Sequence, residues 1–132
     1  MSLRDRIKRH EGRSTVPYYD SEGILTGGYG RNLEAVPFSE NEMELMFSND
    51  LRRARTGAKS FEVYQYLSPA RQDVITEMCF QMGVNGVSKF KRFLSAALQR
   101  KWSEAAKEMI DSRWATQTPS RAKELSIIFE RG

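Results

Sequence analysis

Apolar residues recur at helical spacing along most of this chain, with one break near its start. Leu3 and Ile7, with the stem of Arg6 or the ring of His10, share one face of a short charged helix. Ser2 followed by Asp5 gives that helix a capped start, and Gly12 suits the left-handed position just past its end. The pattern then shortens to Thr15, Val16, Pro17, Tyr18 and Tyr19. Asp20-Ser21-Glu22-Gly23 follows, with Asp and Gly at the first and last places of a type I turn, and Ile24 to Thr26 returns before Gly27-Gly28. This predicts a small antiparallel hairpin, which has to lean on helices because two strands alone are not stable.

Helical periodicity then holds to the end. Ser39 and Glu42 form a capping box that opens a helix to about Gly57, with Met43, Met46, Phe47, Leu51 and Ala54 on its apolar face. Its other face carries Glu40, Glu44, Arg52, Arg53 and Arg55, the usual look of a solvated surface. Ser68-Pro69 starts a second long helix with Val74, Ile75, Met78, Cys79 and Met82 inward, ended by Gly83 and Gly86. Further helices are predicted over Val87 to Gln99, over Trp102 to Arg113, and after Thr118-Pro119, where Ala122, Leu125, Ile128 and Phe129 face inward. No repeat or low-complexity linker divides the chain, so one domain is expected over residues 1–132.

Composition narrows the chemistry. The 132 residues are 39% hydrophobic and 29% charged, ordinary for a globular protein long enough to bury a core. No apolar run approaches a membrane span, and the start MSLRDRIKRHEG lacks the apolar centre of a signal peptide. Synthesis in the cytosol is expected, with another agent releasing the protein if it acts elsewhere. Cys79 and His10 are the only cysteine and histidine, which excludes an internal disulfide and a His/Cys zinc site. A Ser-His-Asp hydrolase would have to use His10, and no nucleophile-elbow sequence accompanies it. Metal-free and cofactor-free carboxylate chemistry survives. The formal charge of +4 fits an anionic polymer or a nucleic acid, but solubility alone accounts for it.

The stretch His10 to Arg31 holds the candidates: Glu11 at a helix end, Asp20 in a turn, and Thr26 on the returning strand. Cleaving a glycosidic bond needs a proton donor and a second carboxylate in a different environment. A helix end, which disfavours negative charge, and an open turn differ in that way. Each residue also has a plain structural role. Glu11 alone is an exposed acid, Asp20 a turn former and Thr26 a good strand residue. The GGYG run lacks the Lys-Ser/Thr of a phosphate loop.

Glu11-Gly12, then Asp20, then Thr26 ahead of Gly28-Tyr29-Gly30, resembles the catalytic signature of the phage-type lysozymes, especially the T-even kind. Phe80-Gln81-Met82-Gly83, Ser112-Arg113-Trp114, Gln117-Thr118-Pro119 and Arg121-Ala122-Lys123 follow in the family's order, and the helix from Glu42 to Ala58 aligns. The resemblance implies an α+β, mostly helical fold: a small hairpin lobe (about 12–38) and a larger helical lobe (1–11 and 39–132) flanking a cleft. It implies cleavage of the β-1,4 bond between N-acetylmuramic acid and N-acetylglucosamine in bacterial peptidoglycan. Glu11 would be the general acid, with Asp20 and Thr26 positioning the attacking water and inverting the anomeric centre. It also pairs Arg121 with Glu11 and Glu22 with Arg113, and lines the cleft or the lobe behind it with Phe80, Gln81, Trp114, Gln117 and Thr118. For Phe80 and Trp114 a core role is equally expected.

The chain departs from that pattern in places. Arg31 stands where the family has His, which predicts an Arg31–Asp50 salt bridge; Gly27 replaces a bulkier residue; and Asn32 to Phe38 is a short link in place of a third strand and an extra helix. The family's last C-terminal helix has no counterpart before Gly132. The resemblance implies a phage endolysin, monomeric, acting with a holin: held in the host cytoplasm until lysis, then at the periplasm or cell wall. It implies no nucleic acid and no membrane insertion. The alternatives are a lytic transglycosylase, which needs one Glu and no water-positioning Asp, and a non-catalytic peptidoglycan- or nucleic-acid-binding module.

Overall fold

The computed structural model describes residues 2–132, which divide into two compact units, Met1–Glu44 and Leu45–Gly132. The first begins with α1 (Leu3–Glu11), where the Ser2 hydroxyl accepts from the Asp5 amide at 3.1 Å and Asp5 stands near the positive end of the dipole. Gly12 ends the helix at φ 77°, its amide donating to the Lys8 carbonyl at 3.0 Å. Strands β1 (Ser14–Tyr19), β2 (Leu25–Gly28) and β3 (Arg31–Asn32) make an antiparallel sheet in that order. Tyr18 pairs with Thr26, and Thr26 with Asn32.

The sheet extends the expected hairpin by one short strand. The link after Arg31 does not drop the third strand; it shortens it to two residues. The Leu33 amide continues the pairing by donating to the Leu25 carbonyl at 2.9 Å, and Asn32 Oδ1 then accepts from Glu34 and Ala35 at 3.0 Å to turn the chain. On the edge strand β1 the register shifts between Ser14 and Tyr18, a stretch that includes Pro17, which has no ladder donor. Helix α2 (Glu40–Lys59) opens with the predicted capping box: Ser39 Oγ accepts from Glu42 N at 3.2 Å, and Glu42 Oε1 accepts from Ser39 N at 2.8 Å.

The second unit holds the rest of α2, a 3-10 helix (Glu62–Tyr66), α3 (Pro69–Ser88), α4 (Lys91–Leu98), α5 (Trp102–Ile110), α6 (Arg113–Gln117) and α7 (Pro119–Arg131). Its core is where the apolar stripes predicted it: Val74, Ile75 and Met78 of α3, Phe93 of α4, Met109 of α5, and Leu125 and Phe129 of α7 are buried. The stripe on α2 behaves differently. Met43, Met46 and Phe47 are exposed, and only Ala54 and Ala58 are buried. Small residues set the close approach to α3, since a Cβ at Gly57 would stand 3.0 Å from Val84 Cγ2.

Helix α3 is broken at Gly83, as expected. That residue takes φ 76° and ψ 166°, and the helix resumes to Ser88, so Val87 belongs to α3 and the helix predicted from it splits. The 3-10 helix and α6 have no counterpart in the periodicity, being too short to register in it. Thr118 precedes α7 but makes no side-chain cap; its hydroxyl donates to the Trp114 carbonyl at 3.0 Å.

Arg71 closes the second unit from α3 to α7. Its Nε donates to the Phe129 carbonyl at 2.6 Å and a terminal nitrogen to that of Glu130 at 3.0 Å, satisfying the end of α7, while the guanidinium lies 3.7 Å from the centre of the Trp102 ring. Arg71→Ala is expected to cost about 2 kcal/mol, from two charge-assisted hydrogen bonds and one ring contact, and Arg71→Lys less. Chemical denaturation checks both, and an alanine variant as stable as the wild type would remove this clasp. Burial pushes the Cys79 thiol up to about 11, so the reactive thiolate is scarce in the folded protein at neutral pH. Labelling by a thiol reagent at pH 8 is therefore expected only after unfolding.

Candidate active site

Three polar side chains of the first unit are set by one turn and one glycine. Asp20 Oδ1 accepts from the amides of Glu22 at 2.8 Å and Ile24 at 2.9 Å, while the Asp20 amide donates to the Ile24 carbonyl at 3.0 Å. The Gly23 amide closes the turn on the Asp20 carbonyl at 3.0 Å. Thr26 is buried, and its hydroxyl donates to the same Ile24 carbonyl at 2.9 Å. Ile24 therefore anchors Asp20 and Thr26 together, leaving Asp20 Oδ2 and the lone pairs of Thr26 Oγ1 without hydrogen bonds from the described residues. Nothing in the residue pattern marks Ile24, because its role is carried by its backbone.

Glu11 ends α1, exposed, beside the turn between β2 and β3. A Cβ on Gly30 would collide with the Glu11 carboxylate, and Gly30 takes φ 70°. Glycine is required there on both counts. The sequence marked Gly30 only as a turn residue. The arrangement offers a carboxyl at a helix end, plus a carboxylate and a hydroxyl held on a shared support. Such a set can donate a proton and orient a water.

The ion pairs differ from those expected. Arg31 engages Glu42, not Asp50: both terminal nitrogens contact that carboxylate, one of them at 3.1 Å from Oε1, and Nη2 also donates to the Pro37 carbonyl at 2.6 Å. Glu42 is already fixed near Arg31 by the capping box, whereas Asp50 lies two turns further along α2 and pairs with Arg53 at 3.1 Å. Within the second unit Arg121 has a partner of its own. Its Nε donates to Glu77 Oε2 at 2.8 Å, a pair between α7 and α3 that nothing in the sequence announced. Glu22 lies in the first unit and Arg113, exposed, in the second.

In the second unit Gln81 Oε1 accepts from Trp114 Nε1 at 2.9 Å, and Trp114 is buried edge-on to Phe90 with ring centres 6.0 Å apart. The core role therefore holds for Trp114. Phe80 is 40% exposed and packs on Phe47 at 5.6 Å. Phe80, Phe47, Leu51, Thr76, Glu77 and Arg121 share a groove of about 340 Å³, an aromatic floor with charged walls. Gln117 is exposed and Thr118 half-buried. Among the described residues no group of three or more His, Cys, Asp or Glu side chains is placed to hold a metal ion.

Residues 8–131 match the phage lysozyme family. Two proteins of Dictyostelium discoideum described as probable T4-type lysozymes 1 and 2 are 33% and 31% identical over 161 aligned positions, covering 99% of this chain and 95% of each relative. The pre-baseplate central spike protein Gp5 of Enterobacteria phage T4 is 30% identical over 161 positions, covering all of this chain and 28% of that longer protein. These alignments are longer than the chain's 132 residues, so each relative carries residues that this chain omits. The chain belongs to the phage lysozyme family, and is a glycoside hydrolase of the lysozyme kind.

Proposed function

We propose that this lysozyme is an endolysin that cleaves the N-acetylmuramic acid–N-acetylglucosamine bond of peptidoglycan with Glu11 as general acid. Asp20 and Thr26 hold the attacking water, and Glu22, Gln81, Arg113, Gln117, Thr118 and Arg121 contribute to the cleft or the lobe behind it. The observation that carries the reading is the shared support of Asp20 and Thr26 on Ile24 within the unit where Glu11 fills the space left by Gly30. In the reaction Glu11 gives its proton to the leaving glycosidic oxygen, and the water loses one to Asp20 as it bonds to the anomeric carbon. Thr26 Oγ1, which spends its own hydrogen on Ile24, is left to accept one from that water. Attack from the face opposite the leaving group inverts the anomeric centre. The enzyme works as a monomer. It waits in the host cytoplasm until a holin opens the membrane, then acts at the periplasm or cell wall.

Glu11→Gln keeps the shape and removes the acidic proton, so turnover of purified peptidoglycan is expected to fall by at least about two orders of magnitude. Equal clearing by both proteins would remove Glu11 as the acid. Fresh product followed by NMR is expected to carry the α-anomer first; an initial β-anomer would mean retention, and anhydro ends a transglycosylase. Gly30→Ala forces the Glu11 carboxylate aside and strains a left-handed residue at a cost of about 1 kcal/mol. Its expected signature is a kcat lowered at least tenfold with a modest loss of stability. A variant with wild-type kcat would show that the Glu11 position is not set by this contact.

A further inference from the structure

The net charge is divided unevenly. Residues 1–44 hold six Lys or Arg against eight Asp or Glu, while residues 45–132 hold fifteen against nine, so the excess of +6 belongs wholly to the second unit. Its longest acid-free run includes Val87 to Lys101, with Lys89, Lys91, Arg92, Arg100 and Lys101. All five are exposed, and none is in an ion pair with a described residue. Lys91 and Arg92 stand in the first turn of α4, where the helix dipole disfavours cations. With Lys89 and Arg113 they line a hollow of about 460 Å³, whose α5 side adds Glu108 and Asp111, leaving two net positive charges.

We infer that this hollow binds the phosphate groups of a phosphodiester-linked polymer of the bacterial envelope, holding the enzyme to the wall whose glycan it cuts. The choice of polymer rests on the function proposed above; the preference for phosphate rests on the site. Between Val87 and Arg113 the only large apolar side chains exposed are Leu98 and Ile110, and no aromatic is. Of the aromatics that line the hollow, Phe93 and Trp114 are buried and Phe90 is half-buried, so bases would find only part of one ring to stack on, which disfavours single-stranded nucleic acid. Leu98 lines a different groove, with Phe61 and Val63, so the cationic face carries no wedge for a lipid surface. A chain of phosphates with neither bases nor acyl chains fits what remains.

The test uses soluble poly(glycerol phosphate), which contains no bond for the enzyme to cut, and the full chain at fixed ionic strength. Lys89→Gln/Lys91→Gln/Arg92→Gln is expected to lose at least about tenfold in affinity, since each cation near an anionic surface contributes appreciably. Lys89→Arg/Lys91→Arg should bind like the wild type. So should Lys59→Gln/Lys123→Gln/Arg131→Gln, which removes the same charge elsewhere. Equal loss in that control would reduce the site to net charge and overturn it. So would tighter wild-type binding to phosphatidylglycerol vesicles or to a DNA oligonucleotide. Matching melting temperatures check folding. Turnover of phosphate-free peptidoglycan should be unchanged in the triple glutamine variant. If no variant or wild type turns it over, the proposed function fails while the binding result still stands.

Discussion

No side chain fits at position 30, and the polar layout of the first unit follows from that. The Glu11 carboxylate occupies the space that a Cβ would need, at a point where the chain takes a left-handed turn. The next residue, Arg31, leaves the turn and grips Glu42, which is itself bonded to the Ser39 amide at the start of α2. The end of α1, the turn between β2 and β3, and the start of α2 are thus linked through consecutive residues. A single methyl at Gly30 would act on the middle of that chain. The constraint is steric and local, so it does not depend on the marginal strength of a three-stranded sheet.

Asp20 illustrates how one carboxylate serves a turn and a reaction without conflict. Oδ1 accepts two backbone amides, which orients the group and closes the hairpin. Oδ2 is left over. The plain reading of Asp20 as a turn former and the functional one therefore describe two oxygens of the same residue.

Much of the fold was legible because its signals are local. Capping residues at Ser2, Ser39 and Ser68 each hold the first-turn bond that the sequence implies. The core stripes of α3, α4, α5 and α7 follow their helical period. What escaped depends on distance. Whether the α2 stripe is covered depends on how near a second helix comes, and Gly57 and Ala58 rather than Phe47 mark that place. Arg71 reaches α7 from 58 positions away, a separation at which periodicity carries no information. At the site, residue types and spacing pointed to Glu11, Asp20 and Thr26, but not to the supports: a backbone at Ile24 and a missing side chain at Gly30.

The rearranged ion pairs follow one rule. Arg31 and Arg121 each pair with an acid of their own unit. Glu42 is also held by the capping box, so less side-chain freedom is lost in forming the pair, and two nitrogens reach it. Asp50, by contrast, meets Arg53 within its own helix, exposed to water, in a pair of the kind that contributes a few tenths of a kcal/mol. Glu77 and Arg121, both partly exposed, pair at the wall of a groove floored by Phe47 and Phe80. Arg at position 31 thus does more than supply a positive charge. A planar fork with five donors can hold Glu42 and the Pro37 carbonyl at once, and an imidazole with two could not also engage both carboxylate oxygens. That wider reach suits the short link from Asn32 to Phe38, which brings Pro37 and the start of α2 within range of one side chain.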